Sequence, residues 1–341
     1  MHFKGQDFLS YSRQNEWGIE QPFNFTLDND TEVAVWDSGV ICFTPKVITN
    51  SDIILSSGIH GNESAPIEIC NDFISQIIDG KLSLETRVLF IFGNPASMNI
   101  GQRFIEENMN RLFSGAHSSA PGLVNRERIR AKKLEQYVER FYCSEIEGRE
   151  RIHYDLHTAI RGSKNEKFAV YPFLHGAKHD KRQLQIMAAC GVNTILLSNS
   201  PTTTFSYFSS VKFNAHAFTV ELGKVRPFGE NDMTRFIEVK ETLKAMLSAS
   251  DMGLTAFDPA DFNLFKVCRA IDKHQDDFEF YFADDVVNFT SFPIGFKLAT
   301  EGDIQYKIEH QGEAIVFPNA NVANGNRAVL MVVPTTLDEN L

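Results

Sequence analysis

Residues 52–80 read "DIILSSGIHGNESAPIEICNDFISQIIDG". An apolar run, Ile53 to Leu55, ends at two serines, a glycine-bearing turn follows, and then a helical pattern begins. Ile69, Phe73 and Ile77 fall on one face of that helix, and Gly80 marks its end. A buried strand feeding a helix through a tight turn is the building unit of an α/β sheet. The turn also holds His60 and Glu63, three apart, with Gly61 and Asn62 between them. Gly58 and Gly61 let the backbone turn sharply and bring both side chains to one point, and Pro66 is expected to start the helix.

The flanking sequence extends this pattern. "TEVAVWDSG" and "VICFTP" read as strands before residue 52. "TRVLFIFGNP" is a nearly continuous apolar run ended by Gly93, Asn94 and Pro95, the pattern of a strand buried on both faces of a parallel sheet. "LVNRERIRAKKLEQYVERFY" is a charged amphipathic helix, and "IHYDLHTA", "NTILLSN" and "AFTVELG" are further buried strands. "ENDMTRFIEVKETLKAMLSAS" predicts a long helix capped by Asn231 or Asp232. After "GLTAFDPAD" only short β-like runs remain, separated by turn residues. The expectation is an α/β domain over residues 1–255 and a smaller C-terminal all-β domain over 256–341.

Composition narrows the function classes. Of 341 residues, 43% are hydrophobic and 23% charged, ordinary for a soluble enzyme. A net charge of −11 and a pI near 5.4 argue against a general nucleic-acid binder. An anionic substrate would need a local basic pocket. No run approaches ~20 apolar residues, so no membrane span is expected. "MHFKGQDFLSYSRQNEW" lacks the apolar run of a secretory signal, and the five cysteines are scattered without a CxxC pair. The expected location is a reducing cytoplasm.

The His60–Glu63 pair is a weak signal alone, since a loop histidine and a glutamate near a helix N-terminus also fit. Its position at the carboxyl end of a sheet strand strengthens it, because open α/β sheets place ligands there. His157, at the end of the "YDLHT" strand, is the third candidate. Two histidines and a glutamate form a catalytic zinc set with a fourth position open to water. A core histidine bonded to the backbone is the other reading of His157. Asp155 shares its strand face and is either its partner or a capping carboxylate. Glu221, in "FTVELG", is costly to bury without a metal or another partner, and an exposed edge-strand glutamate is the alternative. "NPASMNIGQRFIEENMNRLFSG" supplies Arg103, Asn110 and Arg111, and the last two can grip a carboxylate. A polar loop with solvated arginines is the alternative. Arg161 and Lys164 follow His157 closely, and cations beside a candidate zinc centre in an acidic protein point to an anionic substrate.

The ordered set G-x-H-G-N-E-x-x-P (58–66), N-P (94–95), R-x-x-x-x-x-x-N-R-x-F (103–113), D-L-H-T-A (155–159) and V-E-L-G (220–223) resembles the succinylglutamate desuccinylase and aspartoacylase family. "DLHTAIRGSKNEKF" and "VFPN" (316–319) are closer to its desuccinylase branch. The resemblance implies a zinc carboxypeptidase-like mixed sheet flanked by helices. It implies one zinc ion per chain, held by His60, Glu63 and His157. Glu221 would be general base for a metal-activated water and then return the proton to the leaving amine. Arg103 would polarise the scissile carbonyl. Asn110 and Arg111, with Arg161, would bind substrate carboxylates. The implied reaction is hydrolysis of N2-succinyl-L-glutamate to succinate and L-glutamate, the last step of a succinyl-transfer route of arginine breakdown.

Two departures stand out. Asn108 occupies a position where the family often has an aspartate that orients a neighbouring arginine, so a looser arginine geometry is expected. Aspartoacylases also use a C-terminal tyrosine on substrate; Tyr306 is near it in sequence, and Phe317 is a candidate for its place. Three other readings stay open: a deacylase of another small anionic N-acyl amino acid, a metallocarboxypeptidase, and a non-catalytic binding protein. No nucleic-acid or membrane partner is expected, and a homodimer is left open.

Overall fold

The unit at residues 52–80 lies in the middle of one large sheet. The computed structural model describes residues 3, 5–143 and 148–336. The chain enters through α1 (Phe8–Gln14) and an antiparallel meander of β1 (Phe23–Thr26), β2 (Glu32–Asp37) and β3 (Val40–Thr44). The α/β part continues with β4 (Ser51–Ser57), α2 (Ser64–Ile78), β5 (Arg87–Phe92), α3 (Pro95–Asn99) and α4 (Arg126–Tyr142). It then runs through β6 (Glu150–Ala159), β7 (Phe168–Tyr171), α5 (Lys181–Ala189), β8 (Thr194–Leu197), α6 (Phe205–Phe213), β9 (His216–Lys224) and α7 (Ile237–Leu247). The C-terminal part holds β10 (Asn263–Asp272), β11 (Glu279–Phe280), β12 (Thr290–Ser291), β13 (Lys297–Glu301), β14 (Ile304–Lys307), β15 (Ala314–Val316) and β16 (Arg327–Pro334).

Among the described residues the main sheet runs β1-β2-β3-β5-β4-β6-β9-β7-β8-β10-β16-β15-β12. Its centre, β5-β4-β6-β9, is parallel. These strands are buried on both faces, which is why they read as unbroken apolar runs. Ile53, Leu55, Phe90, Tyr154 and Leu156 share a core with Ile67 and Phe73 of α2 and Leu243 of α7. Ile54, Leu89 and Ile91 face the other way, toward Leu134 and Val138 of α4 and Phe205 of α6.

Two expectations are corrected. Helix α2 starts at Ser64, two residues before Pro66, with Glu63 at the N-cap position. The Glu63 side chain makes no cap hydrogen bond, because its carboxylate turns into the cleft described below. The long helix after residue 231 is broken. Asp232 caps a 3₁₀ turn, Met233–Phe236, and α7 begins only at Ile237. The C-terminal part is all-β as expected, and β10 joins it to the main sheet by pairing in parallel with β8, Asn263 opposite Thr194. That pairing covers what would be an open strand edge.

Candidate active site

The strand register builds the site. Ser57 of β4 lies beside Leu156 of β6, and Leu156 beside Val220 of β9. One step on, His157 is directly opposite Glu221. Both side chains therefore leave the sheet on one face at its carboxyl end. The turn after β4 brings His60 and Glu63 to the same place. Gly58 takes φ +64, a left-handed conformation that favours glycine. Gly61 acts differently from the expectation. Its backbone is ordinary, but a Cβ there would lie 2.3 Å from the backbone of Ser97 and Met98. It is needed for close approach to α3.

Each ligand candidate is buried and oriented. His60 Nδ1 lies 2.9 Å from Glu63 Oε1. His157 Nδ1 lies 2.9 Å from Glu63 Oε2, which also accepts from the Thr158 backbone N–H at 3.1 Å. Arg103 Nη1 donates to Glu63 Oε1 at 2.6 Å. The outer ring nitrogens are held as well: His60 Nε2 by Asn108 Oδ1 at 2.9 Å, and His157 Nε2 by Asp155 Oδ2 at 2.8 Å. Acceptors opposite the outer nitrogens turn both Nδ1 atoms toward Glu63, the orientation that outer-shell partners impose on metal-binding histidines. Asn108 thus orients His60, a contact not anticipated from the sequence. Behind Asp155, Ser56 Oγ donates to Asp155 Oδ1 at 2.6 Å and contacts His153 Nε2 at 2.8 Å. Ser209 Oγ closes the chain on His153 Nδ1 at 2.7 Å.

The donor set fits a divalent cation. One atom each from His60, Glu63 and His157 lie within 4.8 Å of one another. Burial, with Arg103 nearby, pushes His60 down to about 4, so its Nδ1 carries a lone pair at neutral pH. That buried nitrogen has no hydrogen-bond partner and faces a carboxylate oxygen. A cation between them would turn this opposition into two bonds. Burial also opposes charge on His157, but Asp155 and Glu63 outweigh it and hold the imidazolium well above the usual range. Cation binding would therefore release a proton.

Glu221 is 6% exposed, and its Oε2 has no hydrogen-bond partner among the described residues. Burial first, then Glu63, push it up to about 7. The folded metal-free protein thus keeps a proton that the unfolded chain releases near 4.5. The associated stability is complete below that value and is lost as pH rises through about 7. Metal-free protein is expected to lose stability relative to its Glu221→Gln variant over this window, by roughly 3 kcal/mol at most. Urea unfolding at several pH values measures it, and parallel curves for the two proteins would refute it.

A cleft of about 930 Å³ opens over these residues and is lined by Arg103, Arg111, Arg161 and Arg327. Asn110 Oδ1 accepts from the Phe205 backbone N–H at 3.0 Å, and Arg111 Nη1 donates to Asn110 O at 2.9 Å. Arg161 also reaches the C-terminal part, donating to Val286 O at 2.9 Å. Phe317 lines the cleft against Phe168, whereas Tyr306 is outside it, bonded to Glu301. Sequence reasoning missed Arg327 and the Ser56–His153–Ser209 chain. Only the polar alternation His153, Asp155, His157 hinted at the chain.

Comparison with known proteins agrees with this architecture. Residues 49–247 match the succinylglutamate desuccinylase/aspartoacylase catalytic domain, and residues 260–335 match the AstE/AspA barrel-sandwich hybrid domain. A succinylglutamate desuccinylase of Shewanella piezotolerans is 56% identical over 99% of this chain and 98% of its own length. That of Idiomarina loihiensis is 56% identical over 96% of this chain and 95% of its own. The crystal structure of the Vibrio parahaemolyticus enzyme superposes with a TM-score of 0.86 at 35% identity, covering 97% of this chain and 95% of the other. With both of its parts matched in order along nearly the whole length, the chain belongs to the succinylglutamate desuccinylase/aspartoacylase family.

Proposed function

We propose that this protein is a zinc-dependent amidohydrolase that cleaves N2-succinyl-L-glutamate to succinate and L-glutamate. The observation that carries the reading is the register of β6 and β9. It sets Glu221, buried and with one oxygen unpartnered, directly beside His157 of the three-ligand group. Near-full-length relatives named for this reaction support the substrate.

His60, Glu63 and His157 would hold one zinc ion. When bound, zinc supplies a Lewis acid for the amide carbonyl and lowers the pKa of water. Glu221 takes a proton as the water oxygen adds to the carbonyl carbon. It then delivers that proton to the amine nitrogen as the C–N bond breaks. Arg103 lines the cleft beside the ligands, where it can donate to the carbonyl oxygen as negative charge develops. Asn110 and Arg111, with Arg161, supply the cationic wall for a substrate with three carboxylates. The same reading assigns the protein to the last step of succinyl-transfer breakdown of arginine, in the cytoplasm.

The test is hydrolysis of N-succinylglutamate, N-acetylaspartate and N-acetylglutamate by zinc-loaded and chelator-stripped protein. Zinc-dependent turnover of the succinyl compound is expected, at least tenfold above either acetyl compound, a gap worth about 1.4 kcal/mol. Preference for an acetyl substrate would overturn the substrate. Full activity of stripped protein would overturn the metal.

A further inference from the structure

We infer that Arg327, from the C-terminal part, and Arg111, from the α/β part, hold one substrate carboxylate between them, so that both parts of the chain read the substrate. The inference rests on the proposed function for the identity of the anion.

Arg327 opens β16, and its position is tightly set. It pairs with Asp272 in the β10–β16 ladder, after the turn closed by Asn326 N–H to Ala323 O at 3.0 Å. Lys273 N–H to Asn326 O at 2.9 Å ties the same turn to the end of β10. The side chain lines the cleft that also holds His60, Glu221 and Arg111. Among the described residues it makes no side-chain hydrogen bond or ion pair; Asp272, its neighbour in the ladder, acts on it only through its field. Among the described residues the Arg111 side chain likewise has no ion pair, and its one hydrogen bond goes to a neutral carbonyl.

Two guanidiniums facing one cleft repel each other, and burial strengthens the repulsion. Burial, chiefly, pushes Arg111 down to about 9, and Arg327 and then Arg103 add to the shift. Arg327 is itself lowered by burial. A guanidinium stays charged at neutral pH, so the arrangement is relieved by an anion and not by deprotonation. A carboxylate offers two oxygens, and each guanidinium offers a fork of donors. Glu106 and Glu107 also border the cleft, but Glu107 is committed to Arg128 at 2.7 Å.

The test uses zinc-loaded full-length protein, Arg327→Met and Arg327→Lys, with thermal melts to show that each folds. Steady-state kinetics on N-succinylglutamate should show KM raised about 10- to 100-fold in Arg327→Met, with kcat within about threefold, because a carboxylate held equally in ground and transition states is uniform binding. Arg327→Lys should recover part of the loss. Calorimetry with succinate and L-glutamate as separate probes then identifies the half that is held. One probe should weaken at least tenfold in Arg327→Met and the other should not change. Equal weakening of both, or no change in either, would overturn the clamp, as would wild-type protein that binds neither probe. Wild-type protein that binds a probe in an Arg327-dependent way but hydrolyses no N-succinylglutamate would overturn the function and keep the clamp.

Discussion

Glu221→Gln is expected to purify with its full complement of zinc and to lose about 10²- to 10⁴-fold in kcat. The amide keeps the size of the carboxylate in a site where Glu221 is 6% exposed, so packing is preserved. What goes is the ability to accept a proton from water and return it to nitrogen. Glu221 is outside the three-residue ligand group, so metal content should not fall. The two readouts together separate a base from a ligand. Wild-type-like turnover would remove Glu221 from the chemistry, and loss of zinc would move it into the coordination shell.

Glu63→Gln should have the opposite signature, with zinc lost and the metal-free fold weakened. Glu63 is the negative centre of a buried cluster. Burial opposes its charge, but His60, His157 and Arg103 outweigh this and hold its carboxyl well below the usual range. Removing that charge leaves Arg103 and the His157 imidazolium without their shared partner. Breaking a buried ion pair from one side typically costs about 3–5 kcal/mol. Metal analysis of the purified variant and urea unfolding of the stripped protein measure the two effects. A variant that keeps stoichiometric zinc would dismiss Glu63 as a ligand.

Much of the fold could be read from sequence because the strands of its centre are buried on both faces. Apolar runs such as Arg87–Phe92 carry that signature in one dimension. The candidate ligands were legible for a related reason: His60, Glu63 and His157 all stand where an apolar run ends. Other parts depend on contacts that no local pattern encodes. Asn108 meets His60 through a loop that folds back over 48 positions. Gly61 is required by the backbone of Ser97 and Met98, not by its own torsion angles. Arg327 follows a polar turn and opens an apolar strand, and nothing around it in sequence distinguishes it from a solvated arginine. Only the tertiary fold brings it to the cleft. The late start of the predicted long helix has a local cause, since Asp232 bonds to Thr234 and sets a tighter turn first.

The ladder between β8 and β10 has a consequence for how such a chain can be divided. Sequence similarity falls into two blocks, which invites a view of two interchangeable modules. Yet Asn263 to Lys266 hydrogen-bond alongside Thr194 to Leu197, so the second block begins as a strand of the first block's sheet. A piece ending before β10 would present the bare edge of β8 as a template for other chains. A piece starting at β10 would lack the strand against which it is aligned. Shuffling the C-terminal block between relatives would therefore have to carry the β8 edge with it.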